Sequence, residues 1–389
     1  MSELRRLRIG IEATFVRGPR VTGIERYVID LVRGLARVAS ERPSSLSLVL
    51  FLHQGGVRHF SDILPCFDTV MVSPFATRVF TEQVWLPWAI RRSRVVLVHY
   101  TTLGIPLLKT TPFTTTIHDL AAWHFPWTMS PGVRYYYRHL ISAALRSRKL
   151  RKAIAVSRAT KDDLVRLFGI DENRVTVIHR SLAPHFASIA ARPDDQTGIS
   201  RVLRRYGISR SYILAVGTLE PRKNLRRLIN AFRLLRGKYG VDGYDLVIVG
   251  RRGWGRAPES APDVVGGVHM VGTVPDEDLV SLYRGAAAFV LPSLYEGFGL
   301  PLLEAMACGT PVVASNTSSI PEVAGQAAAY FDPTDEAEMA RAIYTVLSNP
   351  GLRERLVAGG YERVREFDHN EAEETIAELE KAAREGLRG

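Results

Sequence analysis

Cysteine is almost missing from this chain of 389 residues, which has only Cys66 and Cys308. Two thiols cannot build a disulfide framework or a four-thiolate metal site, so small secreted scaffolds and zinc-ribbon modules are excluded. Long apolar runs are missing too. A membrane-crossing helix needs roughly 18 consecutive apolar residues, whereas stretches such as 287–291 are strand-sized. The opening residues, Met1 to Arg6, contain two arginines and no apolar core, so no leader peptide is expected. No Gly-x-Gly-x-x-Gly occurs in the first strand–loop–helix, and a nicotinamide cofactor is not suggested. What the chain has is a 46% hydrophobic set, 23% charged residues and a basic excess of 51 over 40, net +11. That mixture belongs to neither a disordered tail nor a membrane bundle, and the length calls for more than one core.

The basic excess is confined to one half. Residues 1–190 carry 27 Lys and Arg against 13 Asp and Glu, net +14, while the remainder carries 24 against 27, net −3. Two domains with different partners are expected. Short apolar runs alternate with amphipathic stretches along both halves. Candidate strands lie at 7–12, 48–53, 95–99, 114–118, 153–157 and 175–178, then at 212–217, 245–250, 269–272, 288–291, 311–315 and 329–331. Helical patterns at 24–38, 161–168, 225–238 and 337–348 separate several of them. Continuous apolar strands alternating with helices predict a doubly wound α/β sheet in each half, with a ligand cleft at the carboxyl ends of the strands. The boundary is placed at 190/191, with 184–200 read as the linker because it shows no period and contains Pro184, Pro193 and Gly198. A polar helix, 370–389, follows the second domain, which ends at 369.

Four segments carry chemistry. In Pro292-Ser-Leu-Tyr-Glu296-Gly297-Phe298-Gly299-Leu300-Pro301-Leu-Leu-Glu304, a strand runs into a glycine-containing loop and then a helix opened by Pro301. Amides at 297–299 next to a helix start suit an anion, and Glu296 in the loop with Glu304 in the first turn could accept from sugar hydroxyls. In Gly217-Thr-Leu-Glu-Pro-Arg222-Lys223-Asn224, a buried strand ends at a turn that holds two cations, with Asn224 expected as the cap of the next helix. Cations at a helix start oppose its dipole unless an anion visits, and a diphosphate would fit. His118, closing the strand 114–118, can reach a sugar hydroxyl or phosphate, and Asp119 either orients it or caps the next segment. Gly23 precedes a helix and leaves room for a phosphate.

The Pro-Ser-x-x-Glu-Gly-Phe-Gly-Leu-Pro segment, with seven residues between Glu296 and Glu304, resembles the signature of retaining glycosyltransferases of family 4, which have the GT-B fold of two Rossmann-like domains facing a cleft. The resemblance extends over segments from Gly10 to Pro333. It implies a nucleotide-sugar donor, with Glu296 near the transferred sugar, Glu304 on the ribose hydroxyls, Lys223 and Arg222 on the diphosphate, and His118 at the reacting end of the donor. The family often has an arginine directly after the glycine at 217; here that residue is Thr218, and Arg222 is its substitute. Catalytic candidates are therefore His118, Arg222, Lys223 and Glu296. Donor-binding candidates are Gly23, Gly217, Arg222, Lys223, Gly297, Phe298, Gly299, Leu300 and Glu304. No cofactor and no metal is expected: the Asp276-Glu277-Asp278 triplet follows Pro275 and reads as a cap and first helical turn.

The resemblance further implies hexosyl transfer with retention to a glycan or lipid-linked acceptor in surface-polysaccharide assembly, with a GDP-sugar of mannose or rhamnose type favoured over a UDP-sugar. A catalytically silent nucleotide-sugar binder is disfavoured by the intact Glu296, Glu304, Lys223 and His118. A nucleic-acid partner, which the charge alone would suggest, lacks any supporting motif. The basic stretch 131–152 reads as an amphipathic helix able to rest on an anionic leaflet, which predicts a cytoplasmic protein held at the inner face of the plasma membrane.

Overall fold

The apolar runs become two all-parallel sheets in the computed structural model, which describes residues 6–18, 21–42, 45–193, 195–251, 253 and 266–388. The expected absence of a leader at 1–6 falls outside these residues except for Arg6. The first sheet comprises β1 (Leu7–Glu12), β2 (Leu46–His53), β3 (Thr69–Ser73), β4 (Leu97–Tyr100), β5 (Phe113–Ile117), β6 (Leu150–Ala155) and β7 (Val175–Val177), in the spatial order β3-β2-β1-β4-β5-β6-β7. The second comprises β8 (Ser211–Val216), β9 (Tyr244–Val249), β10 (Val268–Gly272), β11 (Ala288–Leu291), β12 (Val312–Ser315) and β13 (Ala328–Phe331), in the order β10-β9-β8-β11-β12-β13. Edge strand β3 was not anticipated. It is short, and only Ser73 in it is buried, so it offers no continuous apolar signal.

Each sheet sits in one of two compact units. One runs to Trp123, resumes over Pro131–His179 and takes in the stretch from Asn370; the other holds His124–Ser130 and Arg180–His369. In the first unit successive residues of β2 face opposite ways, as strand geometry requires. Leu48, Leu50 and Leu52 join one apolar cluster with the helix Gly23–Glu41, whereas Val49 and Phe51 join another with the helix Leu86–Ser93. The C-terminal helix Glu371–Arg388 adds Ile376, Leu379, Ala382 and Ala383 to the first cluster, and its Glu378 accepts from Thr176 Oγ1 at 3.1 Å. The terminal helix thus belongs to the unit of the N-terminal sheet.

The stretch 184–200 is not a linker. It contains the helix Pro184–Ala190 and the first half of a second, Gln196–Arg205. Pro184 occupies the first helical turn, where a missing N–H costs nothing, so it starts the helix rather than breaking it. Phe186 packs edge-on against Tyr283, and Ile199 and Val202 are buried. These contacts carry the second unit back to Arg180, eleven residues before the expected start at 191.

Candidate active site

In the second sheet the chain runs from β8 outward to β9 and β10, then returns to place β11 on the other side of β8. Order reverses between β8 and β11, the switch point at which open α/β sheets bind ligands. The loops leaving these two strands hold Arg222, Lys223 and Glu296, so residues more than 70 positions apart in sequence meet because their strands are neighbours. A Cβ at Gly250 would lie 1.9 Å from the carbonyl oxygen of Gly217, so the loops after β8 and β9 approach this closely only because residue 250 has no side chain.

Arg222 and Lys223 lie in the short 3₁₀ turn Pro221–Lys223, ahead of the helix Leu225–Tyr239. Asn224, expected as the cap of that helix, occupies the cap position in the left-handed conformation at φ 58°, but its side chain caps nothing. Its amide instead donates to the carbonyls of Pro292 at 3.0 Å and Pro333 at 2.7 Å, tying the β8 loop to the β11 loop. Lys223 Nζ donates to Glu296 Oε1 at 2.5 Å and Arg222 Nη1 to Glu296 Oε2 at 3.0 Å. Ser293 Oγ donates to the same Oε1 at 2.6 Å. Arg222 Nε is also ion-paired with Glu220 Oε1 at 2.5 Å. Glu296, Glu220 and Lys223 are all buried, at 5%, 4% and 8% exposure.

Glu296 is therefore no solvated loop acid. Burial by itself would raise its pKa, but the charges of Lys223 and Arg222 and the bonds from Lys223 and Ser293 hold it down at about 2. The carboxylate stays ionised at neutral pH and keeps both cations pointed at one spot. Two cations balanced by two carboxylates form a compact buried polar cluster.

The loop between β11 and the helix Leu300–Ala307 is fastened from the opposite side by the turn after β12. Ser318 Oγ accepts from the amide of Glu296 at 2.9 Å, and Ser319 Oγ donates to the carbonyls of Glu296 and Phe298 at 2.9 and 2.8 Å. Gly299 caps the helix at φ 102°, a conformation that disfavours any side chain. Gly297 lies between these anchors, and Leu300 is the first helical residue. The ring of Phe298 is buried edge-on against Phe367. Glu304 lies on the second turn, not the first: Gly299 is the cap, so five helical positions separate cap from carboxylate. There it accepts from Tyr283 Oη at 2.9 Å.

The remaining candidates belong to the first unit. His118 follows β5 directly; its Nε2 is 2.9 Å from the carbonyl oxygen of Thr101, and its ring meets Tyr27 edge-on at 4.4 Å. Gly23 opens the helix that carries Tyr27 one turn later, and a Cβ there would meet nothing within 4 Å. The protein itself does not require glycine at 23. Asp119 accepts from the amide of Ala121 at 3.1 Å, the local turn that was one of its two expected roles.

Several contributors escaped the sequence reading. Glu220, Ser293, Ser318, Ser319 and Tyr283 all hold site residues, and Glu12 is a buried carboxylate at the end of β1. The Asn316-Thr-Ser-Ser run after a predicted strand was a legible turn signal. Thr22 and Glu25, three residues apart, form a capping box that could also have been read, with Thr22 N donating to Glu25 Oε2 at 2.9 Å. Asp276 and Asp278 do lie in a first helical turn, but Pro275 is the cap residue, and the two acids are paired with His185 and Arg205.

Comparison with known proteins agrees with this geometry. Residues 21–186 match the model described as Glycosyltransferase Family 4, and residues 206–363 match Glycosyl transferases group 1. The chain is 34% identical over 292 residues to the O-antigen chain mannosyltransferase B of Escherichia coli, covering 72% of each protein. It is 28% identical to the O-antigen chain mannosyltransferase RfbU of Salmonella typhimurium, covering 72% of this chain and 73% of the relative. Among solved structures, a sucrose-phosphate synthase from Thermosynechococcus elongatus superimposes with a TM-score of 0.70 at 19% identity, covering 97% of this chain and 98% of that one. Two doubly wound units with a Lys-Arg-Glu cluster at a switch point define a glycosyltransferase of the GT-B fold. The chain belongs to glycosyltransferase family 4.

Proposed function

We propose that the protein transfers a mannosyl residue from GDP-mannose, with retention at the anomeric carbon, to a glycan or lipid-linked saccharide during surface-polysaccharide assembly. The observation that carries this reading is the buried Lys223–Glu296–Arg222 constellation. The names of the Escherichia coli and Salmonella relatives support the sugar. In this reading Lys223 and Arg222 offset charge on the departing diphosphate, so that no metal is required. Glu296, held ionised, accepts from a hydroxyl of the transferred sugar. Glu304 takes the ribose hydroxyls, with Tyr283 fixing its orientation. Amides of Gly297, Phe298, Gly299 and Leu300 are assigned to the phosphates, as is Gly217, and Gly23 is a further phosphate candidate. His118 is assigned to the reacting end of the donor. The enzyme works at an anionic membrane surface on the cytoplasmic side, where a lipid-linked acceptor would be presented.

The test is nucleotide release from a panel of GDP- and UDP-sugars, with and without a chelator. GDP-mannose should be turned over in both conditions, and Lys223→Ala should abolish the signal. Turnover of a UDP-sugar in its place would overturn the donor assignment. Activity lost to the chelator and restored by Mn²⁺ would overturn the metal-free mechanism.

A further inference from the structure

The helix expected over 131–152 ends at Leu145. It is one helical run over 131–145, with a π-helical segment at Tyr136–Ile141 between the α-helical segments Pro131–Tyr135 and Ser142–Leu145, and the rest of the stretch leads into β6. Several of its cations are committed within the unit: Arg146 Nη2 donates to the carbonyl of Leu167, Lys149 Nζ to that of Thr110, and Lys152 Nζ to that of Asn173. A different surface of the same unit has no covering at all. Along the helical stretch 78–93, Trp85, Leu86, Ala89 and Ile90 point into the core, while Val79, Phe80, Val84 and Trp88 stand 67%, 54%, 54% and 56% exposed. Leu107 and Leu108, 51% and 66% exposed, lie beside this ridge, since the amide of Leu107 donates to Gln83 Oε1 at 2.9 Å. Isolated exposed apolar residues are ordinary; six large ones on one face mark a contact surface.

The charge around the ridge says what it contacts. Exposed Arg91 and Arg92 continue the outward face of the same helix. Between Glu82 and Asp119 the chain has four basic residues and no acidic one, and Glu82 itself is buried against Arg78. A second copy docked across a two-fold axis would bring like charges together, which opposes association. Aromatic and leucine side chains rimmed by arginine suit the headgroup boundary of a bilayer, where rings and leucines enter the acyl region and guanidinium groups meet lipid phosphates. We propose that the ridge formed by Val79, Phe80, Val84, Trp88, Leu107 and Leu108, with Arg91 and Arg92, docks this protein on an anionic membrane. The proposal deepens the membrane part of the function proposed above and rests on none of its donor chemistry.

The experiment is co-sedimentation of the full chain with phosphatidylethanolamine vesicles, with or without phosphatidylglycerol. Wild type should pellet with the anionic vesicles. The double variants Phe80→Ser/Trp88→Ser and Leu107→Ser/Leu108→Ser should each lower partitioning roughly tenfold, with thermal melts and donor turnover in detergent unchanged. Wild type left in the supernatant, or both variants pelleting like wild type, would overturn the proposal. So would loss of binding in Arg134→Glu/Arg138→Glu alone, which would place the contact on 131–152. A fall in oligomeric mass by light scattering in the ridge variants, with vesicle binding intact, would make the ridge a contact between copies and likewise overturn it. If donor turnover fails in every protein while the ridge variants still lose vesicle binding, the enzymatic reading falls and the docking surface stands.

Discussion

Two glutamates at the carboxyl ends of the two sheets are buried almost equally, Glu12 at 2% exposure and Glu296 at 5%, yet they are driven in opposite directions. Around Glu12, Thr14 donates from its amide and hydroxyl to Oε1, while Oε2 has no hydrogen-bond partner among the described residues. Burial raises its carboxyl to about 7, Glu82 adds to the rise, and the bonds from Thr14 and the charge of Arg78 only moderate it. Around Glu296 the same desolvation is overruled by Lys223 and Arg222, which hold the carboxyl at about 2. Burial makes a charge expensive; whether it survives depends on a cation within hydrogen-bonding reach. The second unit therefore holds a carboxylate that stays ionised at neutral pH, and the first holds one poised between its two forms near neutrality.

The largest test of this contrast makes Glu296 resemble Glu12. Lys223→Met should lower transfer by about 10²- to 10³-fold, because a donor to the leaving charge is lost. It should also cost roughly 3–5 kcal/mol of stability, since a buried carboxylate loses its main partner. Initial rates and urea unfolding read the two effects, and a rate within about twofold of wild type would remove Lys223 from the site.

The next test is the pH dependence at Glu12. Its folded-state pKa lies above the unfolded value, so the native state binds the extra proton and stability falls as pH rises from about 4.5 through about 7, by on the order of 3 kcal/mol. Glu12→Gln should abolish that fall and melt above wild type at alkaline pH. Equal slopes in the two melting profiles would show that Glu12 carries no such load.

At Glu296 the sign reverses. Its contribution is complete above about 4.5 and is lost as pH falls through about 2, so wild type should lose stability on acidification over that window. Glu296→Gln should begin lower at neutral pH and show a shallower acid limb, read from urea midpoints. A parallel limb would argue that other acids set it. The smallest effect is geometric: Gly299→Ala forces a side chain into the left-handed region and should cost about 1–2 kcal/mol, with a matching drop in melting temperature. An unchanged melt would mean that the loop relaxes at no cost.

Much of the scaffold was legible in advance because buried parallel strands are continuous apolar runs, and eleven of the thirteen strands begin and end within two residues of their expected positions. β6 is the exception among those expected, and β3 was missed; β6 starts three residues early, at Leu150, because Arg151 and Lys152 break its apolar run, and β3 is half-exposed. The helices at 184–190 and 196–205 were illegible for another reason. They are short, begin with proline or polar residues, and show only one or two buried apolar side chains each. At the site, Lys223 and Glu296 were readable as residue types in glycine- and proline-punctuated loops, but their direct pairing was not, because 73 positions separate them.

The sequence by itself determined the fold class, since apolar periodicity and turn residues are local properties, and its motifs carried the resemblance to the family. The tertiary structure decided which charges meet. Asn224 became a strap between loops, Glu304 moved to Tyr283, Glu12 emerged as a raised carboxyl, and an exposed apolar ridge emerged at 79–88. Each of these follows from strand order and helix facing, which bring distant residues within a few ångströms, and electrostatics and desolvation act over that distance rather than along the chain.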